Sequence, residues 1–186
     1  ERSRAGNVYS PELSWLTGQR AEKRGELAQA LRWYREGAAR FGHAVQLREA
    51  SAATALKLRD GQAAHEAYTW LLNQEPNDLS WKLGLSVAAR MTGRLQEAAR
   101  LYGEILAADP NFLDALWNDG LLAFRYEGDY ERAHLRFSSL AALVKDNSDG
   151  YPDLANLLSE SSALAEEDRL IAAEEEAERN RAAAAA

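Results

Sequence analysis

The sequence predicts an all-α protein built from repeated helix pairs, and three observations lead to that fold class. An alanine followed four residues later by an aromatic side chain recurs every 34 or 35 residues, as Ala30/Tyr34, Ala64/Tyr68, Ala98/Tyr102 and Ala133/Phe137. Each period contains two stretches of helical apolar periodicity around a short polar turn. A period of this length is typical of helical arrays whose units stack to bury their apolar faces.

The period divides the chain into four helix pairs, expected over residues 11–44, 45–78, 79–112 and 113–147. They follow an N-terminal extension over 1–10. Ser10 before Pro11 predicts the first cap, because a serine side chain can accept a bond from the free amides of a first turn and proline fits its first position. Each turn inside a pair carries a glycine suited to a left-handed helix end; the four glycines are Gly25, Gly61, Gly93 and Gly128.

Proline closes the second and third pairs, in Pro76-Asn77-Asp78 and Asp109-Pro110-Asn111. Proline ends one helix, and we expect the polar residue after it to cap the next. The fourth pair has one extra residue between its helices. The recurring alanines predict close helix crossings, with the aromatic one turn later packing against the next pair.

A linker over 148–152 precedes a different segment, 153–186, which predicts one long helix without a partner. Its first half can dock on the fourth pair as a terminal cap, since the last repeat of an array otherwise exposes a core face. The apolar positions of the segment are Leu154, Leu157, Leu158, Leu164, Leu170 and Ile171. Beyond Ile171 the segment consists mainly of alanine, acids and arginine, and that end is expected to project into solvent or fray. The whole segment carries a net charge of −6, which leaves about −1 for the rest of the chain.

Composition excludes several classes of function. The chain has no cysteine, which excludes disulfides, zinc–cysteine sites and thiol nucleophiles. A near-neutral body with an acidic tail is a poor match for nucleic acid. No stretch has the roughly 18 apolar residues that a membrane span needs, so we expect no membrane insertion. No signal sequence is visible, and a bacterial cytoplasm and a periplasm both fit.

The residues give no support for catalysis. His43, His65 and His134 have no metal-ligand spacing, and no glycine-rich phosphate loop precedes a helix. We therefore expect no enzyme, no catalytic residues, no metal and no cofactor.

The repeats resemble the tetratricopeptide repeat (TPR) family over residues 11–147. The resemblance is carried by Gly25/Ala30/Tyr34, Ala64/Tyr68/Pro76, Gly93/Ala98/Tyr102/Pro110 and Gly120/Gly128/Ala133/Phe137. The second unit departs from the family pattern at Arg59, where the turn glycine would stand. The resemblance implies a right-handed helical-hairpin solenoid, the TPR superhelix, with the long C-terminal helix as its cap.

In this family the first helices of successive units line a concave groove that receives a peptide or a partner helix. The resemblance implies a groove that is polar at one end and apolar at the other. Its candidate partner-binding residues are Trp15, Gln19, Glu49, Leu56, Leu83, Val87, Arg90, Met91, Trp117, Leu121, Phe124 and Arg125.

The sequence therefore favours a protein-interaction scaffold or adaptor in a bacterial multiprotein assembly. By family analogy, the assembly is expected to be an envelope machine such as a pilus or secretion complex, or the machinery of cytochrome c maturation. The alternative is a structural homo-oligomer in which the C-terminal helix and the groove of identical subunits associate. Two further interpretations stay open: the apolar residues can pack between units, and the chain's own tail can cover part of the groove.

Overall fold

The computed structural model describes residues 10–145 and 149–184, and within these ranges the regular structure is entirely helical. Residues 1–9 of the expected extension, 146–148 around the linker, and 185–186 lie outside the described residues. The helices are α1 (Pro11–Lys23), α2 (Leu27–Arg40), α3 (Val45–Lys57), α4 (Gly61–Gln74), α5 (Leu79–Met91), α6 (Leu95–Ala108), α7 (Leu113–Leu122), α8 (Tyr130–Val144) and α9 (Leu154–Ala184).

The chain divides into two compact units, Glu1–Leu101 and Tyr102–Ala186. The first unit contains α1 to α5 and the first half of α6. The second contains the rest of α6 and the helices α7, α8 and α9.

Most of the helix starts for which the sequence predicts a capping side chain have one. Ser10 accepts a hydrogen bond from the Leu13 amide at 3.1 Å, and Pro11 takes the first position of α1. Asp78 accepts one from the Trp81 amide at 2.7 Å at the start of α5. The expectation that Asn111 caps α7 is wrong, since Phe112 holds the cap position without a side-chain bond.

Glycine ends three of the four first helices as predicted, but not the second. Gly25, Gly93 and Gly128 have φ of 76°, 75° and 66°, in the left-handed region that glycine enters without strain. In the second pair Arg59 itself takes φ 60°, and Gly61 is instead the first residue of α4. A Cβ at Gly61 would lie 2.9 Å from Met91 Cβ, so glycine is needed there for close helix approach.

The extra residue of the fourth pair is absorbed by a π-helical turn. After α7 the backbone continues through Ala123–Glu127 with the wider winding before Gly128 ends it. Such turns accommodate a single inserted residue without breaking the helix.

The recurring alanines and aromatics form the core. Ala30, Ala64, Ala98 and Ala133 are completely buried. The ring of Tyr68 on α4 covers Gly84 on α5, the next pair, as predicted. Tyr34 and Phe137 also cover Gly18 and Gly120 of their own pairs, and Tyr34 shares a buried cluster with Leu47 of the next pair.

The long C-terminal helix α9 packs against α8 with its first half. It buries Leu154, Leu157, Ser161 and Ala165, and it is exposed from Glu166 onward. The predicted capping helix is confirmed: of the apolar positions in its first half, Leu154 and Leu157 are buried, and Leu158 and Leu164 are partly buried. In the described ranges no helix is both long and apolar enough to cross a membrane.

Candidate partner-binding surfaces

In the first unit, a carboxylate on α1 joins three helices. Glu22 accepts hydrogen bonds from the Tyr34 hydroxyl on α2 at 2.9 Å, and from Thr54 Oγ1 and Lys57 Nζ on α3 at 3.1 Å each. Burial would raise the pKa of the Glu22 carboxyl, but the bonds from Lys57, Tyr34 and Thr54 outweigh it and hold the pKa below its ordinary value. Glu22 is therefore a charged connector between neighbouring helices.

A second carboxylate joins α3 to α5. Trp81 Nε1 donates a hydrogen bond to Glu49 Oε1 at 3.1 Å. Burial, together with the charge of Glu49, raises the pKa of the Tyr68 hydroxyl to about 12. Glu49, predicted from the sequence as a partner contact, thus already holds an indole of its own chain.

Helix α5 presents two different faces. Trp81, Leu85 and Ala88 are buried in the core cluster of the first unit. Leu83, Val87 and Met91, spaced by one helical turn, are only partly buried. We call these three side chains the α5 stripe. It leaves a row of apolar surface on one helix, with Arg90 partly buried beside it.

Some of the other predicted residues of the first unit pack against its core. Trp15 packs against the cluster around Tyr34, and Leu56 packs against the core cluster that contains Trp81. Gln19 is partly buried on α1. Partner binding by these side chains stays a prediction.

In the second unit, aromatic side chains cover one another. The ring centroid of Trp117 lies 5.8 Å from that of Phe137 and 5.6 Å from that of Tyr151, which belongs to the predicted linker. The Tyr151 hydroxyl donates a hydrogen bond to Asp114 Oδ1 at 3.2 Å. Burial, with the charge and hydrogen bond of Asp114, raises the pKa of that hydroxyl. The chain itself therefore occupies one side of Trp117.

Phe124 belongs to the same group of rings. Its centroid lies 5.6 Å from that of Tyr130 and 6.4 Å from that of Phe137. Leu121 is partly buried and Arg125 is exposed. Trp117 and Phe124 thus both lie against Phe137, and the role of the four predicted residues in binding a partner stays a prediction.

Sequence reasoning missed a buried carboxylate in the second unit. The side chain of Asp119 on α7 is only 4% exposed, and its Oδ2 accepts a hydrogen bond from Arg136 Nε on α8 at 2.8 Å. Arg132 lies between Asp119, Glu127 and Asp129. One signal in the sequence could have indicated this cluster. Arg132 and Arg136 lie one turn apart on α8, and Asp119 directly precedes the glycine of the neighbouring α7.

Among the described residues, the histidines and acids do not combine into a metal site. His65 Nε2 lies 3.1 Å from Glu97 Oε2, and His134 Nδ1 lies 3.4 Å from the Leu158 carbonyl oxygen. Across 10–145 and 149–184, no group of three histidine or acidic side chains is placed to hold a metal ion.

Solved structures with the same arrangement of helices settle the fold. The chain is similar to MamA 41-end from Desulfovibrio magneticus RS-1, with a TM-score of 0.68, 16% identity and coverage of 74% of this chain and 78% of that one. It is also similar to a thermophilic TPR protein from Thermus thermophilus, with a TM-score of 0.59, 19% identity and coverage of 82% and 81%. The chain has the tetratricopeptide-repeat fold.

A further MamA crystal structure aligns with a TM-score of 0.66 and 15% identity, covering 84% of this chain and 88% of that one. No family model matches the sequence, and a comparison with curated proteins gave no match. At these identities the likeness extends to the TPR fold and not to any partner.

Proposed function

We propose that the protein is a TPR interaction scaffold whose α5 stripe binds the apolar face of a partner helix or peptide within a multiprotein assembly. The stripe itself carries this proposal: Leu83, Val87 and Met91 lie on one side of α5 and are not fully covered by their own unit. Partner helices are recognised through apolar side chains at such helical spacings. Methionine adds an unbranched side chain that adapts to different partner shapes.

The surroundings of the stripe support a defined binding surface. The hydrogen bond between Trp81 and Glu49 fixes α5 against α3, and Trp81 and Leu85 anchor the opposite face of α5 in the core. A rigid apolar surface loses little conformational entropy when a partner binds. The stripe therefore starts from a fixed backbone.

Photo-crosslinking tests the proposal. A benzoylphenylalanine at position 87 is expected to capture a protein partner in the native cell extract, whereas the same probe at position 135 is not. Leu135 is a matched control because it is 56% exposed on α8, outside the stripe. Capture of one partner equally from both positions, or only from position 135, would rule out the stripe as the binding surface.

Self-association through α9 is a second candidate, favoured by one observation. Leu170 and Ile171 are 58% and 48% exposed on the part of α9 that projects beyond its contact with α8. Exposed apolar side chains of this size are often covered in an oligomer. Light scattering on a double Leu170→Ser, Ile171→Ser variant tests it: a fall in mass supports self-association, and a wild-type mass equal to one chain excludes it.

A further inference from the structure

A small cleft of about 180 Å³ lies in the first unit between α2, α3 and α4. Its walls are mostly small, with Ala38, Ala63 and Ala67 among them, which leaves open space between the helices. Three charged side chains line it: Arg35 from α2, Arg48 from α3 and Glu66 from α4. None of the α5 stripe residues lines this cleft, so it is a separate feature.

Among the described residues, neither arginine of the cleft forms an ion pair with a carboxylate, although Glu66 lines the same cleft. The Nε of Arg48 is buried and has no hydrogen-bond partner in the described part of the chain. A buried donor without an acceptor is costly, more so when it is charged, and such groups often mark the place of a bound ion.

Arg48 is also held in place. Its Cζ lies 4.7 Å from the centroid of the Trp70 ring on α4. Stacking on an aromatic face leaves the edge of a guanidinium free to donate hydrogen bonds in its own plane. That edge matches the two oxygens of a carboxylate or the oxygens of a phosphate.

The charge of the lining distinguishes these two anions. Two arginines and Glu66 give a formal charge of +1, which one carboxylate neutralises. A phosphate dianion would leave excess negative charge beside Glu66. A planar monoanion therefore fits the cleft better than a phosphate.

We propose that this cleft is a binding site for a single carboxylate group, which accepts hydrogen bonds from Arg48 and pairs with Arg35. The carboxylate belongs either to a small free acid or to an aspartate or glutamate side chain of a peptide. The cleft and the α5 stripe share no residue, so this inference is independent of the proposed scaffold function.

NMR titration of the full chain with acetate at constant ionic strength tests the site. The Arg48 Nε–H resonance is expected to shift in a saturable manner, because that proton gains an acceptor. Arg48→Gln and Arg35→Gln should each weaken acetate binding at least tenfold. Arg20→Gln, which removes an exposed charge on α1 away from the cleft, should leave it unchanged.

Two further arms of the titration identify the ligand. Phosphate binding tighter than acetate at equal ionic strength would overturn the carboxylate assignment. A capped Gly-Glu-Gly peptide that binds while its Gln counterpart does not would point to a side-chain carboxylate, and binding of acetate alone would point to a free acid.

The inference fails if no saturable shift appears. It also fails if the Arg35→Gln protein, with a circular dichroism spectrum like that of the wild type, binds acetate as well as the wild type does.

Discussion

The two units connect neighbouring helices by partly different chemistry. In the first, Glu22 and Glu49 accept hydrogen bonds from side chains of other helices. In the second, Asp119 likewise accepts a hydrogen bond from Arg136, and the rings of Trp117 and Phe124 both lie against that of Phe137. The same repeat period thus supports polar connections in both units, and the second unit adds a group of aromatic rings.

The two units also differ in what covers their candidate partner-binding residues. The α5 stripe of the first unit forms a row of partly buried apolar side chains. In the second unit Tyr151 packs on Trp117, the residue that the sequence predicts as an aromatic anchor for a partner. This contact on Trp117 favours the first unit as the site of partner binding.

The largest expected loss of stability follows from substitution of Phe137, the residue at the centre of the aromatic group. Phe137→Ala should lower the free energy of unfolding by about 3 to 5 kcal/mol, because the side chain is completely buried and its loss leaves a cavity. Urea denaturation followed by circular dichroism measures it. Leu135→Ala on the same helix is the control and should change stability by less than about 0.5 kcal/mol, since Leu135 is exposed. Equal losses in both variants would contradict the aromatic account.

A glycine pair tests close packing in the first unit. Gly84→Ala should cost about 1 to 3 kcal/mol, because a Cβ there would overlap the ring of Tyr68. Gly103→Ala on α6 meets nothing within 4 Å and should stabilise the protein by about 0.5 to 1 kcal/mol through helix propensity. Thermal melts compare the two. A melting temperature unchanged by Gly84→Ala would show that Tyr68 can move aside.

The smallest effect concerns the polar connection. Glu22→Gln should cost about 1 kcal/mol at neutral pH by weakening charge-assisted hydrogen bonds. Glu26→Gln, an exposed acid at the start of α2 with no side-chain capping bond, should cost almost nothing. Chemical denaturation at pH 7 distinguishes them. Similar stabilities for the two variants would mean that Glu22 contributes no net stabilisation.

The Glu22→Gln variant should also differ from the wild type in how its stability depends on pH. Because the folded-state pKa of Glu22 lies below its ordinary value of 4.5, its contribution is full above that value and is lost as pH falls through the lower folded pKa. Between about pH 5 and about pH 3 the wild type should therefore lose more stability than Glu22→Gln. Parallel losses would show that this carboxyl does not carry the dependence.

The repeat period predicted the helices well because alanine and aromatic spacing reports directly on helix packing. The first helices begin at Pro11, Val45, Leu79 and Leu113, at 34-residue intervals. The left-handed conformation of Arg59 was harder to predict, because glycine usually takes that turn position. The glycine of this pair is Gly61, two residues later, where close packing against Met91 requires it.

The candidate site was less predictable than the fold. Helical spacing places Val87 and Trp117 alike on first helices, but it does not show what covers each one. Tyr151 reaches Trp117 through a non-repeating segment, and Asp119 is buried by arginines of another helix. Both depend on contacts between residues far apart in sequence, which no periodicity encodes.

The most direct test of this account is the affinity of the crosslinked partner for two matched alanine variants, measured by calorimetry. Met91→Ala alters the α5 stripe of the first unit, and Leu121→Ala alters a partly buried apolar side chain of the second. We expect Met91→Ala to weaken binding at least tenfold and Leu121→Ala to leave it within a factor of about two. Loss of binding in Leu121→Ala with normal binding in Met91→Ala would contradict the account.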